Sequence, residues 1–193
     1  PGERGTVQAN VVTESEWNFV VGDKAGLHGR LSHLATKLGE VIDVFVGLQT
    51  SADDVFILDY VSSDHNGIRL HSKALKMEWD FEPELVFPIV SGTDVNRYKP
   101  LPERQYVVFP YDVSGRTVKL LELKDIAQRF PKTAEYLNKN RKQLEGREKG
   151  KLKGKGWHGY IYLKNMQRQA TRKLCVPRLV EYLYATYDVD GIH

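Results

Sequence analysis

Leu27, Leu31, Leu34 and Leu38 recur at i, i+4, i+7 and i+11, the spacing of one stripe of an amphipathic helix, and Gly39 stands where such a helix would stop. The pattern then changes to short apolar runs. Val41 to Val46 and Val55 to Val61 read as strands, and Asp64-His-Asn-Gly67 carries hairpin-turn chemistry, because Asn-Gly accepts positive φ. Ile68 to His71 is the expected return strand. Phe81 to Pro88 is apolar but holds two prolines, which predicts an extended or edge segment. Tyr106 to Phe109 is β-branched and aromatic, hence a strand, with Ser114-Gly115 as a turn and Thr117 to Leu121 as a short return. Helices are predicted over about 123–130 and over about 131–145, the second opened by Pro131 where a missing N–H is harmless. A Lys/Gly-rich loop follows over 146–156. Tyr160 to Leu163 and Leu174 to Val176 are expected as strands, with a short helical or turn segment between them. Strands and helices mix without regular βαβ alternation, which predicts an α+β fold with mixed sheets and flanking helices. No internal repeat or long linker breaks the chain, so 1–193 reads as a single domain with 1–15 as a loose lead-in.

Three strings place Gly, Pro, Asp or Thr against strand-forming residues: Gly47-Leu-Gln-Thr-Ser-Ala-Asp-Asp-Val-Phe56, Pro88-Ile-Val-Ser-Gly-Thr-Asp-Val-Asn-Arg-Tyr98 and Val108-Phe-Pro-Tyr-Asp112. Each reads as a strand ending in a shaped turn that presents polar groups. In the first, Gln49 can pair bidentately with adenine and Thr50 can bond phosphate or a base edge; the alternative is a turn whose Thr and Asp cap their own backbone. In the second, Asp94 either pairs with Arg97 or caps a short helix, and Arg97 can reach phosphate or a guanine edge. The third is similar to the Asp/Asn-Pro-Pro-Tyr/Phe loop of amino-methyltransferases, but Phe109 holds the polar position and one proline is missing, which argues against a catalytic loop.

Charge sharpens this picture. The 193 residues carry a net charge of only +3. From Lys132 to Lys173, however, 13 Lys and Arg stand against 3 Glu, giving 13 − 3 = +10 and leaving −7 for the remainder. Such a segregated field steers a polyanion onto one face. Within this segment Lys149, Lys151, Lys153 and Lys155 alternate with Gly and Leu, and Trp157, His158, Tyr160 and Tyr162 follow. Lys151, Lys153 and Lys155 are the expected phosphate contacts, with Arg168, Arg172, Lys173 and Arg178 as a second cluster. A charge run alone is usually only a solvated face; the second cluster tips the reading to an anionic partner. Trp157 is expected in the core.

Other chemistries find little support. The histidines lack paired metal-ligand spacing, and with one cysteine a zinc site is not expected. Cys175 reads as a buried strand residue. A single cysteine excludes an intramolecular disulfide and fits a reducing, cytoplasmic compartment. No apolar run reaches a membrane-spanning length, so no membrane partner is expected. A start at Pro1 and an end on Asp190-Gly-Ile-His193 suggest a fragment of a longer protein.

Taken in order, the motifs resemble the C-terminal specificity (target-recognition) domain of TaqI-like adenine-specific DNA methyltransferases and of their fused type II restriction–modification relatives. The resemblance runs from about Trp17 to Asp190. It rests on Trp17, the Leu27–Leu38 stripe, Gly47-Leu-Gln-Thr50, the Gly92, Asp94, Arg97 and Tyr98 string, Phe109 to Asp112, Leu144 to Arg147, Trp157 to Tyr162 and Lys173 to Pro177. It implies a target-recognition-domain fold and sequence-specific recognition of double-stranded DNA. Methyl transfer would belong to a catalytic domain elsewhere in the same parent chain. S-adenosylmethionine would bind there; no cofactor is expected in this chain, which should be inactive alone. It also implies a bacterial parent enzyme, with or without an endonuclease. The residues themselves leave two alternatives open, a non-enzymatic RNA-binding module and a protein-interaction module.

Overall fold

The computed structural model describes residues 4–6, 21, 24–97, 99–114, 117–179 and 181–191. The chain divides into two compact units, Pro1–Phe45 and Val46–His193. Trp17 and Tyr98 of the expected motifs, and most of the 1–15 lead-in, lie outside the described residues.

In the first unit, helix α1 spans Lys24–Ser32 and a single turn, α2, spans Leu38–Val41. The predicted leucine stripe is therefore interrupted. Gly26 and Gly29 weaken α1, and the Ser32 hydroxyl donates to the Gly29 carbonyl at its end. All of Leu27, Leu31, Leu34 and Leu38 are more than half exposed. The strand expected over 41–46 is not formed: Val41 ends α2, and the residues after it run outside any ladder.

The second unit is built on a five-stranded antiparallel sheet in the order β3-β2-β1-β5-β4, made of β1 (Ile57–Asp64), β2 (Gly67–Ser72), β3 (Met77–Phe81), β4 (Val86–Ile89) and β5 (Gln105–Val108). The Asn66-Gly67 turn forms as expected, with Asp64 opposite Gly67 and the Asp64 carboxylate accepting from Asn66 N–H at 2.7 Å. Gly67 takes a φ of 149°, where a Cβ would strike the Phe81 carbonyl. Pro88 lies in β4 at the edge of the sheet, where its missing donor costs no ladder bond. The strand expected from Val55 begins two residues later. A one-turn helix, α3 (Asp53–Phe56), comes first, because Ala52 O accepts from Val55 and Phe56 N–H and sends both side chains fully into the core.

Two small antiparallel pairs complete the strands: β6 (Tyr111–Asp112) with β7 (Lys119–Leu120), and β8 (Lys173–Cys175) with β9 (Thr186–Asp188). Cys175 lies on β8 and is half-buried. Helices α4 (Leu123–Arg129), α5 (Pro131–Lys139) and α6 (Arg141–Glu145) fill 123–145. The single helix expected over 131–145 breaks at Asn140, whose buried amide donates to the Tyr136 carbonyl at 2.9 Å and competes with the helical ladder.

One face of the sheet packs on α5 through Leu70, Phe81 and Tyr136, all fully buried. The Tyr136 hydroxyl donates to Val55 O (2.7 Å) and receives Ser72 Oγ (2.8 Å); burial lifts its pKa to about 12. The other face carries polar pairs such as Arg69–Asp80, bidentate at 2.7 and 3.2 Å. Glu82 closes the arrangement. Its carboxylate accepts from the N–H groups of Lys132 and Thr133 and from Thr133 Oγ1, at 2.7 to 3.0 Å. A carboxylate from beyond β3 thus caps the positive end of α5, the work a local N-cap residue would ordinarily do.

Replacing Glu82 by Ala removes that cap. Stability should fall by about 1–2 kcal/mol. Urea denaturation checks this, with the midpoint lowered and the slope unchanged.

Candidate nucleic-acid interface

The polar turn after residue 47 is held from within. Thr50 is 1% exposed; its Oγ1 donates to Asp53 at 2.5 Å and accepts from Ala52 N–H at 3.1 Å. These are the contacts of a residue that caps its own turn. Gln49 next to it is exposed and forms a backbone bridge with Tyr162. That bridge is what remains of the strand expected over 160–163. The ladder stops there because the Tyr160 N–H is taken by the Tyr111 hydroxyl, while the Tyr160 hydroxyl donates to Val108 O at 2.5 Å. The Phe109-Pro-Tyr111 string is accordingly a core element. Phe109, Tyr111, Tyr160 and Phe56 form one edge-to-face aromatic cluster, and burial raises the Tyr111 pKa to about 12.

Arg147 joins these pieces. It is 8% exposed and spends its guanidinium on backbone carbonyls: Nε to Leu144 O (2.9 Å), Nη1 to Thr50 O (3.0 Å), and Nη2 to Trp157 O (2.7 Å) and Gly159 O (2.8 Å). Its pKa is lowered by burial, against the pull of Tyr111 and Glu148. Trp157 lies in the core, 3% exposed, with the Arg141 guanidinium 5.2 Å from its ring. Beside it His158 is buried, its Nε2 at 2.8 Å from Leu121 O, which makes Nε2 the protonated nitrogen; Nδ1 has no partner among the described residues.

Directly after Arg147 the chain turns sharply: Glu148, Lys149 and Gly150 all take positive φ. The lysine loop leaves from this turn. Lys151, Lys153 and Lys155 are exposed. Lys151 pairs with Glu148 at 3.5 Å and lies 5.5 Å above the Tyr162 ring, and Tyr162 Oη donates to Glu148 at 2.5 Å. That hydrogen bond, with the carboxylate's charge, raises the Tyr162 pKa. Gln49, Tyr162 and Lys151 are thereby neighbours, although they come from distant parts of the sequence. Arg168 ends a 3₁₀ turn whose first flanking residue, Asn165, donates to Val46 O at 3.3 Å, next to the chain that leads into Gln49.

The other expected residues lie around the C-terminal pair β8–β9. Lys173 is largely buried and donates to Asp188 (2.7 Å) and Gln169 O (2.6 Å). Arg172 and Arg178 beside it are exposed. Asp94 caps its own 3₁₀ turn by accepting from Ser91 N–H at 2.9 Å. Arg97 does not turn back to Asp94; it donates to Leu183 O at 2.7 Å. Leu179, Tyr182 and Leu183 around it are at least 70% exposed. Sequence reasoning passed over Gln143, Asp54 and Glu148. Their types give no signal alone, and only the fold sets Gln143 and Asp54 beside Gln49 and Tyr162.

Arg147→Met should destabilise the fold by at least about 3 kcal/mol, because several buried carbonyls lose their donor at once; chemical denaturation measures it. His158 gives a pH signature. Burial lowers its pKa below the ordinary 6.5. The unfolded chain therefore takes up the proton more readily than the folded one. The contribution is full above pH 6.5 and is lost as pH falls toward the folded pKa. His158→Gln, which keeps a donor for Leu121 O, should show a shallower fall in Tm between pH 7.5 and pH 5.5 than the unaltered chain.

No protein-family model matches the chain. Over 109 residues, 52% of its length, the chain is 28% identical to the type II restriction enzyme and methyltransferase RM.Eco57I of Escherichia coli. It spans 11% of that protein. The chain thus has a weak, partial homology to a fused restriction–modification and methyltransferase enzyme.

Proposed function

We propose that this chain recognises duplex DNA sequence for an adenine-specific methyltransferase of a restriction–modification system, with the catalytic domain elsewhere in a longer polypeptide. The observation that carries the reading is the exposed Lys151–Lys155 loop standing beside the Gln49 turn and Tyr162, in a chain partly homologous to a restriction–modification enzyme. Lysines on such a loop neutralise phosphates and release counterions, while neighbouring amides can read base edges.

In this reading Gln49 faces DNA bases, and Lys151, Lys153, Lys155, Arg168, Arg172 and Arg178 face phosphates. Thr50 and Lys173 act by holding their turns, since each is buried on partners of its own. Arg97 belongs to the C-terminal cluster and reaches DNA only if it leaves Leu183. S-adenosylmethionine and the methyl-transfer step are assigned to the catalytic domain. No described helix is long and apolar enough to cross a membrane.

Fluorescence anisotropy with a labelled duplex across a salt series tests the reading. Binding should be weak and steeply salt-dependent. Replacing Lys151, Lys153 and Lys155 together by Gln should reduce the slope of log K against log salt by up to about 3 units. An unaltered slope removes the loop from the interface. Stronger competition by structured RNA than by duplex DNA favours an RNA-binding module instead.

A further inference from the structure

An open depression of about 640 Å³ lies between the 48–54 turn and Tyr162. Its lining is polar and carries an uneven charge. Gln49 and Gln143 supply amides, Asp53 and Asp54 carboxylates, Ser51 a hydroxyl and Tyr162 an exposed aromatic ring, while among the described residues no lysine or arginine lines it. Asp53 is already engaged by the Thr50 hydroxyl. The Asp54 carboxylate is exposed and has no hydrogen-bond partner among the described residues. The cations stand at the rim instead, led by Lys151 over the Tyr162 ring.

This distribution selects the ligand. A phosphate entering the depression would meet two carboxylates and no cation, so its place is the lysine rim. A neutral group rich in donors suits the depression itself. Among the parts of a duplex, that group is a base edge with an exocyclic amine. Cytosine offers an N4 amine, which a carboxylate accepts; adenine offers N6 and N7, which a glutamine amide meets bidentately. Guanine and thymine present acceptors toward the major groove, and acceptors turn Asp54 into a repulsive element.

Building on the DNA-recognition reading, we propose that this depression is a base-reading site that takes an amine-bearing base, adenine or cytosine, with Asp54 as amine acceptor and Gln49 and Gln143 as amide readers. The backbone supports this use. The Arg147 bond to Thr50 O fixes the turn, and the Gln49–Tyr162 bridge fixes the opposite wall. The walls are thus set before DNA arrives, as a discriminating site requires.

The test is selection of bound duplexes from a randomised library by the whole chain, compared with Asp54→Asn and Gln143→Ala. These residues are exposed, and unchanged melting temperatures will show that the variants stay folded. The unaltered chain should enrich adenine or cytosine at one position. Replacing that base by its analogue without the amine, purine or 2-pyrimidinone, should weaken binding roughly 5- to 150-fold. Loss of the preference in Asp54→Asn alone identifies cytosine, and loss in Gln143→Ala identifies adenine. Binding without any base preference, or a preference both variants keep, overturns the proposal while leaving DNA recognition standing. So does a uniform gain in affinity of Asp54→Asn for all sequences, which would put a phosphate at the site. Failure of the unaltered chain to bind duplex at all overturns both readings.

Discussion

The guanidinium of Arg147 is the constraint on which the 47–56 turn and the start of the lysine loop depend. A buried cation without a carboxylate partner is unusual, because desolvating it is expensive. Here the cost is offset by carbonyl dipoles converging from the 47–56 turn, the end of α6 and the Trp157–Gly159 segment. The Thr50, Trp157 and Gly159 carbonyls lie outside any helix or strand, and Leu144 O is at the unpaired end of α6. Strand ladders and helices satisfy backbone groups elsewhere in the molecule; at this junction one side chain does it. A lysine could not replace it, since an ammonium lacks the planar fork that reaches carbonyls in several directions.

The same junction sets where the exposed charge stands. Immediately beyond Arg147 the backbone reverses through Glu148 and Lys149 in the left-handed region, and the lysine loop departs from there. Buried core and exposed charge therefore meet within a few residues. The aromatic cluster of Phe56, Phe109, Tyr111 and Tyr160 fills the space behind, so the polar turn and the lysine loop are both mounted on packed elements. A binding surface mounted this way loses little entropy when its partner arrives.

The basic residues also divide by role. Arg147 and Lys173 are internal, and each is consumed by the protein's own acceptors. Lys139, Arg141 and Lys151 form exposed ion pairs with Glu135, Glu145 and Glu148, which a phosphate can displace at small cost. Lys142, Lys149, Lys153, Lys155, Lys164 and Arg172 have no ion pair among the described residues. The +10 of the segment thus overstates the field that a polyanion meets, but leaves a well-defined set of cations to supply it.

Local chemistry made much of the scaffold legible. Asn66-Gly67 announced its hairpin, Pro131 its helix start and Pro88 its edge strand, because each of these residues limits its own backbone wherever it stands. The cap at Asp94 and the burial of Trp157 were legible for similar reasons. What failed was anything decided at a distance. The apolar run at Val41 to Val46 found no ladder, and Tyr160 to Leu163 lost its ladder where the Tyr111 hydroxyl takes the Tyr160 N–H. Arg147 and Lys173 look in the sequence like any other surface cation. Only the tertiary structure turns them inward, since the carbonyls and carboxylate that receive them are brought together by folding. The depression beside Tyr162 has the same origin: Asp54, Gln143 and Tyr162 carry no spacing that relates them. The sequence by itself determined turns, caps and the excess of positive charge, all of which are local properties. Which charges face outward, and which polar groups share a site, the tertiary structure alone decided, because both depend on packing between segments distant in the sequence.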